Sequence, residues 1–227
     1  MGRKRPIDLL PAERPDHAGR FHVELRNEFQ KHVWDEIWKV ENKLIFLEGQ
    51  AGCGKSFLAT AAACKALLDK RTRKIHICRP YVSAYEEYGY LKGDLHEKLA
   101  PVLMPIMDIV EQLAHGADRK KIEDALVYEA FGFMRGRTFN SWVIADEAQN
   151  CCYEQLLLLC TRIGKGCKII VTYDATQVDN PRSGILKFIK QIHQVAGVKH
   201  IILPPEAQVR ETIVNSIIAA CRKQIQE

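Results

Sequence analysis

The sequence contains no apolar run close to the roughly 20 residues that a transmembrane helix requires, no low-complexity tract and no Cys-x-x-Cys pair. A chain that spans a membrane is therefore not expected. Eight cysteines are scattered along the chain, and the adjacent residues Cys151 and Cys152 have poor geometry for a disulfide. Together with the lack of a secretory signal peptide, this cysteine usage predicts a cytoplasmic protein whose thiols stay reduced.

The excess of positive charge is also small. The 227 residues carry a net charge of +5, and 47% of them are hydrophobic. This length and composition fit one α/β domain with a substantial core. The charge permits contact with nucleic acid without establishing it. We predict a basic, proline-containing arm at residues 1–20, where the basic triplet 3–5 is either solvated or in contact with phosphate, and a single domain at residues 21–227.

The most informative stretch is GQAGCGKS at residues 49–56, which fits the phosphate-binding pattern G-x-x-x-x-G-K-[ST]. An apolar run at residues 44–47 precedes it, as expected of a buried strand, and a helix rich in Ala and Leu is predicted at residues 57–68. In this pattern Lys55 reaches the β- and γ-phosphates of a nucleotide, and Ser56 binds Mg²⁺. The predicted nucleotide-binding residues are Gly49, Gln50, Ala51, Gly52, Cys53, Gly54, Lys55, Ser56 and Phe57.

Polar residues follow two other predicted strands. The strand predicted at residues 142–145 is followed by Asp146 and Glu147, and the strand predicted at residues 168–172 is followed by Asp174 and Gln177. Asp146 is predicted to hold Mg²⁺ through water, and Glu147 to polarise the water that attacks the γ-phosphate. Gln177 is placed to respond to the presence of that phosphate.

Three arginines are candidates for contact with nucleic acid. Arg79 follows another predicted strand and precedes four tyrosines within residues 81–90. Aromatic rings between cations could stack on bases, but the same segment could equally pack on the core. Arg135 and Arg137 flank a glycine and could reach phosphates, while ion pairs with nearby carboxylates are the structural alternative.

The remaining periodicity predicts a three-layer α/β domain with a mostly parallel sheet. Helices are predicted at residues 25–40, 99–113, 153–163, 183–192 and 209–225, and a strand at residues 198–203. Residues 122–133 are ambiguous between helix and strand, and residues 119–121 are predicted to form a solvated, charged loop. Arg210, near the start of the last helix, could reach a phosphate or pair with neighbouring glutamates.

Six segments of the chain together resemble one known family, the PhoH-like ATPases, which are P-loop proteins of bacteria and their phages. The resemblance covers residues 30–222, and the family core is similar to that of superfamily 1 helicases. It implies a RecA-like fold, and binding of ATP and Mg²⁺. The six segments are GQAGCGKS, RPYVSAYEEYGYLKGDLHEKLAP, FMRGRTF, DEAQN, LLLCTRIG and YDATQVDNPRSGIL.

The resemblance also implies roles for residues that spacing alone leaves open. Gln30 matches a glutamine that contacts adenine, although by spacing alone it would be read as a surface residue. Arg210 matches an arginine near the phosphates, and Arg162 one that could act as a finger toward a neighbouring subunit's site. Gln177 matches the γ-phosphate sensor. One departure is Tyr173, which replaces a glycine and is expected to place a bulky ring near that sensor, slowing turnover.

These observations predict Mg²⁺-dependent ATP hydrolysis coupled to RNA or single-stranded DNA. Superfamily 1 helicases use two such domains, so a single domain predicts a homo-oligomeric ring, such as a hexamer, in which Arg162 reaches a neighbour. Two alternatives stay open: a small-molecule phosphotransferase, and a nucleotide-dependent regulator with little turnover.

Overall fold

One sheet of six parallel strands organises the part of the chain that the computed structural model describes, namely residues 21–80, 95–129, 131 and 134–209, with the backbone alone for residues 95–102. The predicted arm at residues 1–20, the tyrosine-rich stretch 81–94, and residues 210–227 with Arg210 lie outside the described residues. The strands are β1 (Leu44–Glu48), β2 (Ile75–Cys78), β3 (Leu126–Tyr128), β4 (Trp142–Ala145), β5 (Lys168–Tyr173) and β6 (Val198–Ile202).

The strand order is β3-β2-β4-β5-β1-β6, and every neighbouring pair is parallel. Parallel strands all end at the same edge of the sheet, so the loops after them meet there. Strand β5 lies between β1 and β4. The loop that follows β5 is therefore placed between the glycine-rich loop after β1 and the acidic residues after β4.

Helices cover both faces of this sheet and complete three layers. Because side chains alternate along a strand, Ile45 and Leu47 of β1 belong to one core cluster, while Leu44 and Phe46 belong to the other. Helices α1 to α4 pack on the first face, and α5 and α6 on the second. The helices are α1 (Glu28–Trp38), α2 (Lys55–Leu68), α3 (Leu95–Leu113), α4 (Gly116–Glu123), α5 (Tyr153–Cys160) and α6 (Ile185–Ile192).

The prediction of a three-layer, parallel α/β fold is confirmed. The structure also decides the predictions for two local segments, residues 122–133 and 119–121. The ambiguous residues 122–133 contain the end of α4 and the short strand β3. The prediction of a charged loop at residues 119–121 is wrong, because these residues lie in α4. That helix buries only Ile122, and Arg119 pairs with Glu123 at 2.6 Å and with Glu111 at 3.0 Å. One buried residue in eight gives no helical periodicity to detect. Among the described helices, none is long and apolar enough to cross a bilayer.

Lys168, the first residue of β5, holds the end of α1 against the sheet. Its buried ammonium donates hydrogen bonds to the carbonyls of Ile37 and Lys39, the latter at 2.8 Å. The last carbonyls of a helix lack intrahelical partners, so a buried cation satisfies them. Burial lowers the pKa of Lys168 from its ordinary value of 10.5 to about 8.

This lowered pKa makes the stability of the fold depend on pH. The unfolded chain binds the Lys168 proton more tightly than the folded chain does, so the free energy of unfolding should rise with pH between about 8 and 10.5. We expect the wild type to gain about 2 kcal/mol relative to Lys168→Met between pH 7.5 and 10. Urea unfolding of both proteins across this pH range gives the difference between their free energies of unfolding. The contributions of the other titrating groups, which the two proteins share, cancel in that difference. If the free energies of unfolding of the two proteins change in parallel with pH, the pKa of Lys168 is not lowered in the folded protein.

Candidate nucleotide site

The glycine-rich loop joins the end of β1 to the start of α2. Gly52 and Gly54 have φ angles of 92° and 82°, in the left-handed region that glycine adopts without strain. Gly54 precedes α2 directly, and a Cβ atom there would lie 2.6 Å from Nε2 of Gln30. The first N–H groups of a helix have no intrahelical partner and lie at its positive end. The loop and the start of α2 therefore fit a phosphate group.

Lys55, the first residue of α2, bends back over this loop. Its Nζ atom donates hydrogen bonds to the carbonyls of Gly49 at 2.7 Å and Gln50 at 3.0 Å. Burial lowers the pKa of Lys55, while the nearby carboxylates of Asp174, Glu147 and Asp146 act in the opposite direction. The ammonium lies on the loop and lines a cavity with Glu147 and Asp174, a position suited to holding an anion with several charges.

Asp146 connects α2 to the centre of the sheet. Its buried Oδ1 atom accepts hydrogen bonds from the hydroxyls of Ser56 at 2.6 Å and Thr172 at 2.5 Å. Hydroxyl and carboxylate oxygens are the ligands that Mg²⁺ prefers, and Mg²⁺ is commonly held by one or two of them together with phosphates and water. In the described ranges, no group of three or more His, Cys, Asp or Glu residues could hold a metal ion unaided. Ser56 and Asp146 fit a metal shared with a nucleotide.

Glu147 has an uncommon backbone conformation and both carboxylate oxygens engaged. Its φ and ψ angles are 57° and 36°, which is left-handed for a residue with a side chain. Oε2 accepts a hydrogen bond from Nε2 of Gln149 at 2.5 Å, and Oε1 lies 3.6 Å from Nη2 of Arg79. Such strain is held by surrounding contacts and is frequent at functional sites. The turn separates the half-buried carboxylate of Glu147 from the buried one of Asp146.

The turn after β5 completes this edge. The backbone N–H of Asp174 donates to Oε1 of Gln149 at 3.2 Å, and the Asp174 carboxylate accepts from the N–H and hydroxyl of Thr176 at 2.9 and 2.6 Å. The N–H of Gln177 donates to the Asp174 carbonyl at 3.2 Å. One small cavity lies between this turn, α2 and Glu147. It is lined by Ala51, Lys55, Glu147, Gln149, Thr172, Tyr173, Asp174 and Gln177.

The Tyr173 ring lies on the face of the sheet opposite α2, although Tyr173 also lines the cavity that contains Gln177. The expectation that Tyr173 slows turnover stays a prediction. The ring belongs to the core cluster under α5 and α6, and its hydroxyl bonds Glu48 at 2.5 Å and His200 at 2.9 Å. Burial first, and the Glu48 carboxylate second, raise the pKa of Tyr173. Because side chains alternate along β5, Thr172 faces Asp146 and α2 while Tyr173 faces away.

Gln30 is buried beside the loop rather than exposed on α1. Its Nε2 atom donates to the Cys53 carbonyl at 3.3 Å, and its Oε1 atom accepts from the Arg26 N–H at 2.9 Å. A cavity of about 290 Å³ adjoins it. The cavity is lined by His22, Glu24, Arg26, Gln30, Gly54, Phe57, Gln112, Leu113 and Val209. Its position beside the phosphate-binding loop, its aromatic ring and its polar groups fit a nucleotide base.

Arg162 and Arg135 do not join this site. Helix α5 leads from the edge where the strands end back to the start of β5, and the Arg162 carbonyl accepts from the N–H of Phe139, just ahead of β4. Arg162 therefore lies toward the opposite edge from Lys55. Arg135 and Arg162 line one open groove along α5.

For Arg137 the sequence left open an ion pair with a nearby carboxylate, and the structure contains one. It forms an ion pair with Glu129, a buried carboxylate that also bonds Nδ1 of His76 at 2.9 Å. The Arg137 guanidinium lies 5.7 Å from the centre of the Phe139 ring. The ion-pair alternative is therefore present in the structure, and a contact of Arg137 with nucleic acid stays a prediction.

Two residues that the sequence patterns do not single out position the acids of the site. Gln149 bonds Glu147, and Thr172 bonds Asp146. Thr172 is a hydroxyl residue in a strand that is otherwise largely apolar, on the same face as its apolar neighbour Ile170. That break in pattern was the available signal. Gln149 stands two residues after Glu147, and nothing in its local sequence distinguishes it from a surface glutamine.

A glycine-rich loop between β1 and α2, and strand β5 inserted between β1 and the acidic strand β4, define the fold of a P-loop NTPase. The model of the PhoH-like protein family matches residues 22–222. The chain belongs to the PhoH-like family.

Curated relatives support this membership. The chain is 37% identical over 225 residues to a PhoH-like protein of Mycobacterium tuberculosis, covering 96% of this chain and 63% of the relative. It is 40% identical over 208 residues to Protein PhoH of Escherichia coli, covering 86% of this chain and 57% of the relative. It is 38% identical over 190 residues to a PhoH-like protein of Bacillus subtilis, covering 81% of this chain and 59% of the relative. The chain thus spans about three fifths of the length of these relatives.

Solved structures give a more distant likeness. The Pif1 helicase of Candida albicans is 17% identical with a TM-score of 0.41, covering 80% of this chain and 40% of that chain. The Sulfolobus solfataricus SWI2/SNF2 ATPase core is 18% identical with a TM-score of 0.42, covering 67% of this chain and 32% of that chain.

Proposed function

We propose that this chain hydrolyses ATP with Mg²⁺ at the site between β1, β4 and β5, and that hydrolysis is coupled to RNA or single-stranded DNA. The observation that carries the proposal is the convergence of Lys55, Ser56, Asp146 and Glu147, which are far apart in the sequence, at one edge of the sheet. Gln30 and the adjoining cavity would hold the base, and the glycine-rich loop the phosphates.

Each residue has a specific task in the proposed reaction. Lys55 would exchange its bonds to the Gly49 and Gln50 carbonyls for the β- and γ-phosphate oxygens. When bound, Mg²⁺ supplies neutralisation of phosphate charge, and Ser56 with Asp146 would hold it. Glu147 would orient water and accept its proton as the water attacks the γ-phosphorus.

Gln149 and Gln177 would support the chemistry without taking the proton. Gln149 bridges Glu147 and the N–H of Asp174, so it ties the base to the turn after β5. Gln177 stands on that turn and lines the same cavity as Lys55. A contact between Gln177 and the γ-phosphate would change when the phosphate leaves, which would pass the nucleotide state to the turn.

The site favours water over a small-molecule acceptor. Glu147 lines the cavity that contains Lys55, which is where a base for water is needed. A regulator with little turnover was suggested by the ring expected at Tyr173, and that ring packs on the other face of the sheet. We therefore propose hydrolysis ahead of the two alternatives.

Nucleic acid and other subunits are the proposed macromolecular partners. We propose that nucleic acid contacts Arg79, Arg135 in the groove along α5, and Arg137, which is half exposed beside its ion pair with Glu129. Arg162 lies too far around the fold to serve its own site, so a role as arginine finger requires a neighbouring subunit in a ring, such as a hexamer. We also propose a cytoplasmic location, which follows from the nucleotide and nucleic acid partners.

Sedimentation tests the ring. We expect an oligomer in the presence of a non-hydrolysable ATP analogue and single-stranded RNA, and Arg162→Ala should keep that oligomer while losing hydrolysis. A monomer under these conditions, or full hydrolysis by Arg162→Ala, would contradict a finger supplied by a neighbour.

Phosphate release tests the coupling. We expect wild-type protein with Mg²⁺ and ATP to release phosphate, and single-stranded RNA or DNA to accelerate release. Duplex DNA serves as the comparison. Omission of Mg²⁺ should abolish release, because Ser56 is neutral and Asp146 is an anion, so the phosphate charge beside them needs the metal. A rate that no nucleic acid changes would remove the coupling while leaving the ATPase in place.

A further inference from the structure

Arg79 forms an ion pair with Glu147, the proposed base. Its Nη2 atom lies 3.6 Å from Oε1 of Glu147, while Gln149 occupies Oε2 of the same carboxylate. Both oxygens of the carboxylate are therefore engaged by donors from two different elements: the end of β2, and the turn after β4. A carboxylate whose oxygens are both engaged is less available to take a proton from water.

The two donors contact Glu147 in different ways. Gln149 is buried and bonded at its other end to the backbone of Asp174, so its amide is locked in place. Arg79 is partly exposed and its contact with Glu147 is longer than a hydrogen bond. Ion pairs of this kind contribute little free energy, and a competing anion can displace them. The backbone phosphates of nucleic acid are anions that guanidinium groups bind with two parallel hydrogen bonds.

We propose that Arg79 is a positioning residue that restrains Glu147 through this ion pair, and that a nucleic acid phosphate releases Glu147 by taking Arg79 in its place. The inference rests on the proposed function and adds how the partner would control the rate. No bond is made or broken in this step, since only the contact partner of the guanidinium changes. Hydrolysis would remain slow until nucleic acid is bound.

The first test compares hydrolysis with and without nucleic acid. Arg79→Ala removes the restraint, so we expect its basal rate to rise about two- to fivefold, the range that corresponds to an exposed ion pair, and its stimulation by oligouridine to disappear. Arg79→Lys keeps a cation and should retain part of both effects. Arg73→Ala changes an exposed arginine outside the site and is the matched control. A basal rate that falls in Arg79→Ala would show that Arg79 assists the reaction and would overturn the proposal.

The second test needs no hydrolysis. Because Glu147 and phosphate compete for Arg79, removal of the Glu147 charge should tighten binding of nucleic acid by the free energy of the ion pair. We expect Glu147→Gln to bind fluorescein-labelled oligouridine about two- to fivefold more tightly than the wild type, and Arg79→Ala to bind it more weakly. In the double variant Arg79→Ala/Glu147→Gln, the tightening should vanish. Fluorescence anisotropy measures all four proteins, with oligodeoxythymidine as the second probe.

The two tests separate the failure of this inference from failure of the proposed function. If Glu147→Gln leaves affinity for oligouridine unchanged, the competition is wrong, whatever the ATPase rate of the wild type. If the wild type hydrolyses ATP and is stimulated by oligouridine while Arg79→Ala behaves identically, the function stands and the role of Arg79 does not.

Discussion

Glu147→Gln is expected to lower the rate of ATP hydrolysis by about 10²- to 10⁴-fold, which is the usual contribution of a general base. The amide keeps the size of the side chain and can still accept the hydrogen bond from Gln149, but it cannot take a proton from water. ATP should still bind, since Lys55, Ser56 and the glycine-rich loop are unchanged. The protein should therefore trap ATP in a complex that single-turnover measurements resolve.

The matched control for this variant is Glu41→Gln. Glu41 is an exposed glutamate just ahead of β1, at the edge of the sheet away from the site. The Glu41→Gln variant should hydrolyse ATP at the wild-type rate. If Glu147→Gln also keeps the wild-type rate, Glu147 is not the base, and the water must be activated by another group.

Lys55→Ala is expected to weaken binding of ATP by about 10- to 100-fold and to abolish measurable hydrolysis. The loop carbonyls of Gly49 and Gln50 hold the Lys55 ammonium, and hydrogen bonds to charged groups are stronger than neutral ones. Titration with a fluorescent ATP analogue measures the affinity. Hydrolysis falls further than binding, because Lys55 also stabilises charge that develops during transfer.

Lys65→Ala is the control for this second variant. Lys65 lies on the same helix, where it forms an exposed ion pair with Asp69. Thermal unfolding of both variants establishes that each is folded. Equal loss of affinity in Lys65→Ala and Lys55→Ala would attribute the effect to α2 as a whole, and undiminished affinity in Lys55→Ala would remove Lys55 from the site.

The parts of the site that the sequence predicts are those written in short, local patterns. The glycine-rich loop needs only its own residues and the flanking strand and helix, so the position of Lys55 and Ser56 follows directly. The acids Asp146 and Glu147 are recognisable because they end an apolar strand. The shared edge then follows from a parallel sheet.

The remaining contacts depend on strand order, which local patterns do not encode. The bond from Thr172 to Asp146 exists because β5 lies between β1 and β4. The ion pair of Arg79 with Glu147 exists because β2 is the other neighbour of β4. Alternation along β5 also decides that Tyr173 faces α5 and α6, which its position before Asp174 did not reveal.

The most direct measurement is a crystal structure of the protein with Mg²⁺ and a non-hydrolysable ATP analogue. The triphosphate should lie on the glycine-rich loop with Lys55 on its β- and γ-phosphates. Mg²⁺ should bind the Ser56 hydroxyl at about 2.1 Å, with Asp146 beyond it and Glu147 facing the γ-phosphate. A nucleotide bound away from Lys55, or a metal that contacts neither Ser56 nor the neighbourhood of Asp146, would contradict the account.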